Sequence, residues 1–516
     1  MQHYKKFNSL PLFSTLPALI AALIIAMGIP GCTKNSPRQE TASGKPATEL
    51  RYGYASEPTA LNPLNPSRTA DGDAILFNVF EGLVRPDTEG RILPCLAESV
   101  AVEDGGRIYR FKLRENVLFH DGLPLTPQDA KVSLETAATA GFPGLDAIEL
   151  IETEGNFGLR VILKNPDPEF LPYLTIGIIS TGSIDRERWA MGTGPYYIES
   201  YSIQQSLVLK KFENYWRENV PHLEKITILF LADSDAQVLA LHSGSIDGAA
   251  LPGALAQQLS TDRFDIEQRY SAMVQLLALN NASVPLNDIR VRQAINYGID
   301  IPGIIDAAFY GKGEPSGSPI IPGLSAYYDS SLSDPYPLDR GRAVSLLSEA
   351  GYGEGTQRLS LEITVASNYT MHVDTAQVIA GQLAQIGIDV SIKLVDWATW
   401  LSEVYRGRQY QATIISLDSP VVSPRAFLSR YMSNSGSNFI NFSNADFDEV
   451  YTAILAEPDE SSRIALYRDA QRLISDNAAS VYIQDILGFK AFRSGVYGGV
   501  LNYPLSADDF ASMYGK

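Results

Sequence analysis

Residues 80–135 contain the clearest structural pattern in the sequence, FEGLVRPDTEGRILPCLAESVAVEDGGRIYRFKLRENVLFHDGLPLTPQDAKVSLE. Within it, Asp104-Gly105 separates two runs that alternate like strands, and this dipeptide between strands is a hairpin signal. Thr126 is a natural helix N-cap before Pro127, and Asp129 completes a pattern like a capping box. The stretch therefore predicts an antiparallel hairpin followed by a helix.

Similar signals extend in both directions from this stretch. Apolar residues at helical spacing predict a helix between Asp73 and Leu83, and LRYGYA at residues 50–55 predicts a first strand. Further along, Gly351 and Gly387 each follow a helical pattern at the position where a left-handed cap is expected. The patterns predict helices at 342–350, 375–386, 447–455 and 461–475, and a strand at 388–394. Helices and strands mix throughout, which indicates an α/β protein.

Composition limits the possible functions. The chain has 516 residues, 45% of them hydrophobic and 19% charged, so it can bury a core and is expected to form two or three domains. The net charge of −18 without a basic stripe argues against nucleic-acid binding, which depends on Lys and Arg. Five scattered histidines show no metal-ligand spacing.

The first residues are laid out like an export signal. Lys5 and Lys6 precede a twelve-residue apolar run at 18–29, which is short for a membrane span, and Gly31-Cys32 follows. Gly31-Cys32 resembles the lipobox of bacterial lipoproteins, in which the cysteine becomes the acylated first residue. Ile29 and Pro30 depart from the usual pattern, and an uncleaved signal anchor is the alternative. Residues 1–31 are thus predicted to be a signal peptide and 32–48 a lipidated cysteine with a polar tether.

Signatures of catalysis are missing from the sequence. It contains no Gly-x-Ser-x-Gly elbow, no Walker loop and no dinucleotide-binding glycine pattern. The many carboxylates are typical of a solvated acidic surface. Cys95 is interpreted as a small buried hydrophobe, because the only other cysteine is the predicted lipid site. These observations favour a binding protein over an enzyme.

Six segments in order resemble the extracytoplasmic solute-binding proteins of peptide-type ABC importers. Besides residues 80–135 they are MGTGPYYIESY, LHSGSIDGA, LNDIRVRQAINYGID, RAVSLLSEAGY and LAQIGIDVSIKLVDWATWL. The resemblance covers roughly residues 49–510. In the second segment, Gly192 and Gly194 are expected in a tight turn that needs unusual backbone angles.

The resemblance implies a two-lobed α/β periplasmic-binding-protein fold, with an extra N-terminal subdomain and hinge closure over a ligand. It places lobe 1 at 49–280, lobe 2 at 281–485 and a return to lobe 1 at 486–516, with crossovers near Leu277–Asn281 and Val481–Asp485. It also implies short peptides as ligands, ABC permease and ATPase subunits as partners, attachment to a membrane through the lipid, a monomeric state and no cofactor.

Family members that bind peptides hold the backbone through strand-like hydrogen bonds and pair one acid with the ligand's α-ammonium. The family's acid lies four residues before a proline, but here that position before Pro424 is Pro420, and Asp418 lies two residues upstream. Three interpretations stay open. Asp418 reaches the ammonium through a remodelled loop, or it only caps the turn, or the ligand has no free ammonium.

Other ligand-binding candidates follow from the resemblance. The backbones of Ser67, Arg68 and Thr69 and of Ser416, Leu417 and Asp418 are the first of these, followed by the side chains of Trp397, Trp400 and Tyr482. The two tryptophans belong to a segment that more often lies in the core of the lobe than in the cleft. The leading hypothesis is a lipoprotein receptor in the cell envelope that captures short peptides. The alternatives are another solute, such as a nickel chelate, haem or an oligosaccharide, and a secreted hydrolase.

Overall fold

Strands and helices alternate along the chain in the computed structural model, which describes residues 46–67, 70–183, 189–353, 357–419, 421–505 and 507–516. The strands are β1 Glu49–Tyr54, β2 Val84–Pro86, β3 Ile92–Pro94, β4 Ala97–Glu103, β5 Ile108–Leu113, β6 Ile148–Glu154, β7 Gly158–Leu163, β8 Tyr196–Ser202, β9 Ser206–Lys211, β10 Lys225–Phe230, β11 Gly248–Pro252, β12 Phe264–Leu279, β13 Glu314–Pro315, β14 Leu359–Ala366, β15 Ile388–Val395, β16 Ala412–Asp418, β17 Ser480–Arg493, β18 Tyr497–Gly498 and β19 Tyr514–Gly515.

The α-helices are α1 Ala70–Leu76, α2 Pro127–Thr139, α3 Ser234–Ser243, α4 Gly253–Ala256, α5 Ile289–Gly298, α6 Ile301–Phe309, α7 Arg340–Glu349, α8 Thr370–Ala384, α9 Trp397–Thr399, α10 Pro424–Leu428, α11 Ala445–Ala456 and α12 Glu460–Asp476. A π-helix at Trp400–Arg406 continues α9. Within the described part of the chain, no helix is long and apolar enough to cross a membrane.

One large sheet runs through the molecule in the order β15-β14-β16-β12-β17-β11-β1-β10-β9-β8, and β13 also pairs with β17. A separate four-stranded antiparallel sheet has the order β4-β5-β7-β6. The long strands β12 and β17 pair with each other over most of their length. Because they lie in the middle of the strand order, this pair joins the two halves of the large sheet.

The buried apolar side chains form separate cores on the two sides of that strand pair. The core of the first lobe is built from residues between 50 and 228 and between 492 and 513. The two clusters of the second lobe use residues between 274 and 483. The protein is therefore a two-lobed α/β fold, and the four-stranded sheet packs into the first lobe.

Strands β12 and β17 are irregular close to the segments expected for the passage between the lobes. Leu277, Leu279, Val481 and Ile483 all pack in the second lobe. The pairing of β12 with β17 shifts its register between Tyr270 and Val274. On β17 this irregularity begins at Asp485, the last residue of one expected crossover, and on β12 it lies three residues before Leu277, the first residue of the other.

The hairpin and the helix start predicted from residues 80–135 are confirmed. Strands β4 and β5 pair antiparallel around Asp104 and Gly105, both of which have positive φ. Thr126 accepts a hydrogen bond from the backbone N–H of Asp129, whose carboxylate accepts one from the Thr126 N–H, so the capping box is complete. Both features depend on neighbours in sequence, which is why the sequence alone could predict them.

The helix expected between Asp73 and Leu83 is shorter than predicted, because α1 ends at Leu76. Beyond it, the carbonyl groups of Asn78, Val79 and Glu81 accept hydrogen bonds from backbone N–H groups of Tyr196, Gly194 and Ile178. Val79 and Phe80 are buried in this non-helical conformation. Pairing with residues about 100 positions away therefore overrides the local helical pattern.

Gly192 and Gly194 are required for a reason other than the one expected. Neither residue has a positive φ. A Cβ atom at Gly192 would lie 2.0 Å from the carbonyl oxygen of Val79, and one at Gly194 would lie 2.5 Å from that of Asn78. The glycines therefore permit close approach of two backbones, and the expectation of unusual backbone angles is wrong.

A buried ion pair fastens the C-terminal segment to the first lobe. The Lys490 ammonium lies 2.9 Å from the Asp508 carboxylate and donates to the carbonyl groups of Leu501 and Ala507. The Tyr54 hydroxyl donates to the same carboxylate. Burial acts to raise the pKa of Asp508, but the charges of Lys490 and Arg269, together with the Tyr54 hydrogen bond, outweigh it and hold the pKa below its ordinary value. The carboxylate is therefore ionised, and Lys490 contributes most to keeping it so.

Candidate ligand-binding site

The carboxyl ends of three strands meet at one edge of the second lobe's sheet. Strand β14 pairs in parallel with β15 and with β16, so the three strands end on the same side. In open α/β sheets, ligands bind at the crevice beside this edge. Strand β16 ends at Asp418 and leads into the loop that begins with Ser419.

Asp418 does not cap the turn that follows it. In the described residues its carboxylate has no hydrogen-bond partner, and its side chain is exposed. The Ser419 hydroxyl instead donates to the carbonyl of Val421 and accepts from the Val421 N–H. The carbonyl of Asp418 accepts a hydrogen bond from the Arg430 guanidinium at 2.8 Å. The backbone is thus fixed by other groups, and the Asp418 carboxylate is left for another partner.

A cavity of about 740 Å³ lies in front of Asp418, with walls from both lobes. Most of its lining is apolar, as expected for a small-molecule site. The first lobe contributes Phe77, Phe80 and Tyr173, and the second contributes Met273, Leu324 and Phe427. The register of the sheet places Met273 directly opposite Asp418.

Four charged residues are part of the described cavity lining, namely Asp73, Glu81, Arg85 and Asp418. Glu81 is buried, and its carboxylate accepts hydrogen bonds from the Thr193 and Tyr215 hydroxyls and the Trp216 indole N–H at 2.8–3.1 Å. These three donors use most of the hydrogen-bonding capacity of the Glu81 carboxylate, so we assign it a structural role. Arg85 and Asp418 are therefore the charged lining residues to consider for contacts with a ligand.

Arg85 is the one cation among the described lining residues. One guanidinium nitrogen, Nη2, donates to the Tyr503 hydroxyl at 2.9 Å and to the Asp509 carboxylate at 3.3 Å. Burial acts to lower the pKa of Arg85, but Tyr503, Cys95 and the carboxylates of Asp509 and Glu81 together raise it above its ordinary value. The guanidinium therefore stays charged.

Ser416 and Leu417 lie in β16 and pair with Gln275 and Val274 of β12. On the opposite side, β14 pairs with β16 only at Ala412 and Thr413. Within the described residues, the final part of β16 thus has one edge without a strand partner. Such an edge can accept an extended peptide as an added strand.

The Ser416 hydroxyl is 3.0 Å from the Nε2 atom of buried His372. Burial lowers the pKa of His372 to about 4, so the ring is neutral at pH 7. This contact fixes the Ser416 side chain against the lobe. A ligand at this strand therefore meets the backbone of Ser416 rather than a freely rotating hydroxyl.

The aromatic candidates occupy different environments. Trp400 is 2% exposed, and its indole N–H donates to the Thr413 hydroxyl at 2.9 Å. Tyr482 is 5% exposed, and its hydroxyl donates to that of Tyr431 at 2.8 Å. Both belong to the core of the second lobe and do not line the cavity. Trp397 is 36% exposed and stacks on Trp400 with ring centroids 5.0 Å apart. Packing and hydrogen bonding thus already use the side chains of Trp400 and Tyr482, and their contact with a ligand stays a prediction.

The backbone of Ser67 is also engaged locally. Its N–H donates to the Asn65 side chain at 2.9 Å, and its carbonyl accepts from the Thr59 hydroxyl at 2.7 Å. The expectation that this backbone pairs with a ligand is therefore not supported at Ser67, although the nearby Pro66 lines the cavity. The predictions for Arg68, Thr69 and Cys32 fall outside the described residues.

Two ion pairs connect the lobes near the cavity. The Arg425 guanidinium, from the second lobe, donates to both oxygens of Asp167 at 2.6 Å. The Arg463 guanidinium is 3.1 Å from Glu169, whose other oxygen accepts from the Tyr467 hydroxyl. Burial raises the pKa of Glu169 even though Tyr467 and Arg463 act to lower it. Asp167 and Glu169 lie within three residues of Phe170 of the first lobe's core, so these contacts cross between the lobes.

The cavity also contains residues that the sequence reasoning did not single out. Glu81 and Arg85 lie within residues 80–135, and Phe77 lies just before them. The sequence patterns in this region predict secondary structure but no ligand contacts. Phe427, three residues after Pro424, is likewise absent from the predicted site residues. The signal that could have found Glu81 and Arg85 was a pair of charges inside a mostly apolar segment, FEGLVRP. In the described residues, no group of three or more His, Cys, Asp or Glu side chains could hold a metal ion.

A two-lobed α/β fold with a mostly apolar cavity between the lobes is an arrangement suited to enclosing a small solute. The model of the bacterial extracellular solute-binding proteins, family 5, middle, matches residues 91–439. The chain belongs to this family, whose members serve ABC importers.

Three known proteins show what the chain is similar to. It is 25% identical to heme-binding protein A of Haemophilus influenzae, with 98% of this chain and 99% of that protein covered. It is 26% identical to glutathione-binding protein GsiB of Escherichia coli K12, with 83% and 87% covered. The solved structure of the periplasmic murein tripeptide-binding protein MppA, in an unliganded open form, has a TM-score of 0.81 at 22% identity, with 91% and 97% covered.

Proposed function

We propose that this protein captures short peptides outside the cytoplasmic membrane and delivers them to an ABC permease. The observation that carries the proposal is the placement of Asp418 at the end of β16, with a carboxylate that has no described partner and that lines the cavity. An ammonium group entering a mostly apolar cavity needs such a partner, because an unpaired buried charge is costly. The remodelled loop thus retains the amine-binding role.

The adjacent part of β16 supports the same proposal. Its edge beyond Thr413 lacks a strand partner within the described residues. A peptide lying along that edge would exchange backbone hydrogen bonds with Ser416 and its neighbours, while its side chains occupy the apolar cavity. Backbone recognition tolerates many side chains, since every peptide offers the same backbone groups.

Among the relatives, one is named for binding heme, another for binding glutathione, and the structural neighbour for binding a murein tripeptide. Two of these three ligands are peptides. Haem is a second candidate ligand. The heme-binding relative supports it, and the cavity has many aromatic and proline residues. A ligand screen can also detect binding of a nickel chelate or an oligosaccharide. Recovery of the peptides after incubation can detect a hydrolytic activity.

The division of the chain is part of the proposal. The first lobe begins at residue 49, the second lobe follows after the passage along β12, and the chain returns to the first lobe along β17. We place the hinge at the register shift between Tyr270 and Val274. Closure by hinge motion would then bring Asp418 towards Phe77 and Phe80 around the ligand.

Tripeptides with free termini are expected to raise the melting temperature. A ligand that binds only the native state at 100 times its Kd stabilises that state by about 2.7 kcal/mol. Differential scanning fluorimetry of the purified protein with a peptide panel measures the shift. Peptides recovered intact after incubation separate a receptor from a hydrolase. A panel that produces no shift while haem does would replace peptide with haem as the ligand.

Replacing Cys32 with serine is expected to move the protein from the membrane fraction to the soluble fraction. Acylation needs the cysteine thiol. Once the predicted signal peptide has been cleaved, the lipid on Cys32 is the attachment to the membrane that we expect. Fractionation and immunoblotting of the two forms give the result. Cys95→Ser is the matched control and should remain in the membrane fraction. A Cys32→Ser protein that also remains there would indicate a signal anchor.

A further inference from the structure

The guanidinium of Arg85 is held rigidly at the cavity wall. Its central carbon lies 4.7 Å from the ring centre of Phe77 and 5.7 Å from that of Tyr503. Its Nη2 atom is tied to Tyr503 and Asp509. A group fixed in this way loses little conformational freedom when it binds a partner.

Part of the guanidinium is free to bind. Among the described residues, Nε and Nη1 of Arg85 have no hydrogen-bond partner, and neither atom is sealed from solvent. An arginine presents five donors in a planar fork that fits a carboxylate. Arg85 therefore has unused donors at the wall of the cavity.

Asp509 does not account for the presence of Arg85. One Asp509 oxygen accepts the backbone N–H groups of Ala511 and Ser512 at 3.1 and 3.2 Å. The other accepts from the Tyr503 hydroxyl at 2.9 Å. The arginine adds only one contact, at 3.3 Å, instead of a two-point pairing. The charge of Asp509 is thus stabilised largely without Arg85.

The other charges of the cavity restrict where a ligand carboxylate can lie. Asp73, Glu81 and Asp418 are acidic, and each would repel a second carboxylate. Arg85 comes from the first lobe and Asp418 from the second, so the two opposite charges line the same cavity from different sides. A ligand with an ammonium at one end and a carboxylate at the other matches this arrangement.

We propose that Arg85 receives the carboxylate of the bound solute and thereby selects amphoteric ligands with a free carboxyl group. This inference rests on the proposed function for the ammonium end, at Asp418. It adds a specificity-determining residue in the first lobe. The solute class becomes peptides with two free termini, or amino-acid derivatives of similar charge.

The test compares ligands that differ only in the carboxyl group. Calorimetry measures the affinity of the tripeptide Ala-Phe-Ala and of its C-terminal amide for the wild type, Arg85→Met and Arg85→Lys. The wild type should bind the acid about 10- to 100-fold more tightly than the amide, the size typical of a charged hydrogen bond. Arg85→Met should bind both equally, and Arg85→Lys should keep part of the preference, since lysine retains the charge without the fork.

A matched variant separates binding from folding. Asp509→Asn breaks the same ion pair from the other side but leaves Arg85 in place. It should retain the preference for the acid. If Arg85 served only to hold Asp509, both variants would show the same binding. A wild type without a preference, or an Arg85→Met protein that keeps it, would overturn the proposal.

A second probe pair keeps this inference separate from the peptide assignment. Phenylacetate and phenylacetamide are titrated into the wild type and Arg85→Met and followed by ligand-observed NMR. If neither form of the tripeptide binds any variant, the peptide function fails. The Arg85 inference still stands if phenylacetate binds the wild type, and neither phenylacetamide nor the Arg85→Met protein shows binding. Equal signals for acid and amide, or no signal with either, overturn it.

Discussion

Replacing Asp418 with asparagine is expected to weaken the binding of a free-amine tripeptide by roughly 30- to 1,000-fold. In the closed form that we propose, the ligand ammonium and Asp418 form a buried pair, and removing one partner of such a pair costs about 2–4 kcal/mol, most of which reflects the charge left behind. The substitution keeps the shape of the side chain, and no described group relies on its carboxylate. The fold should therefore be unaffected, and the whole effect should lie in binding.

The measurement is calorimetry with a tripeptide and its N-acetylated form. The acetylated peptide has no ammonium, so its affinity should be low for the wild type and should change little in the variant. Asp389→Asn is the matched control, since Asp389 carries the same charge on the same lobe. It lies near the start of β15, whereas Asp418 lies at the end of β16, which runs in the same direction. Equal losses for the free and acetylated peptides would show that Asp418 has a structural role.

The second large effect is expected in stability, from replacing Lys490 with methionine. The pair formed with Asp508 is nearly inaccessible on both sides, with 3% of each side chain exposed. Removing one member of such a pair leaves an uncompensated buried charge and costs about 3–5 kcal/mol. Asp508 and the carbonyl groups of Leu501 and Ala507 attach the C-terminal segment to the first lobe through Lys490. In the variant, this segment should therefore become the least stable region.

Urea unfolding of the wild type and the variant gives the difference in unfolding free energy. The double variant Lys490→Met/Asp508→Asn removes the stranded charge and should recover part of the loss. Lys112→Met is the control, because Lys112 and Glu98 form an exposed pair that should have almost no influence on stability. A Lys490→Met protein as stable as the control would show that the buried pair does not hold the segment.

Features that depend on near neighbours could be predicted from the sequence. The turn at Asp104-Gly105, the capping box at Thr126 and the left-handed glycines at 351 and 387 all occur as expected. Each requires only a few consecutive residues of defined conformational preference. The same holds for the two C-terminal helices, whose apolar spacing fixes their extent to within a few residues.

Features that depend on distant partners could not be predicted. The end of α1 at Leu76 and the need for Gly192 follow from a backbone approach between residues 78–81 and 178–196. The burial of Trp400 and Tyr482 follows from packing within the second lobe. The family resemblance predicted Asp418. The residues of the opposite cavity wall, including Arg85, could not be predicted, because they share a cavity with Asp418 only in the folded arrangement of the two lobes.

The central claim is that the cavity holds a short peptide whose amino group pairs with Asp418. Native mass spectrometry of the protein isolated from its own cells, followed by release and sequencing of the bound compound, tests this claim most directly. We expect one peptide with a free amino terminus per protein, and its loss from the Asp418→Asn form. A bound haem, metal chelate or sugar, retained equally by both forms, would contradict the claim.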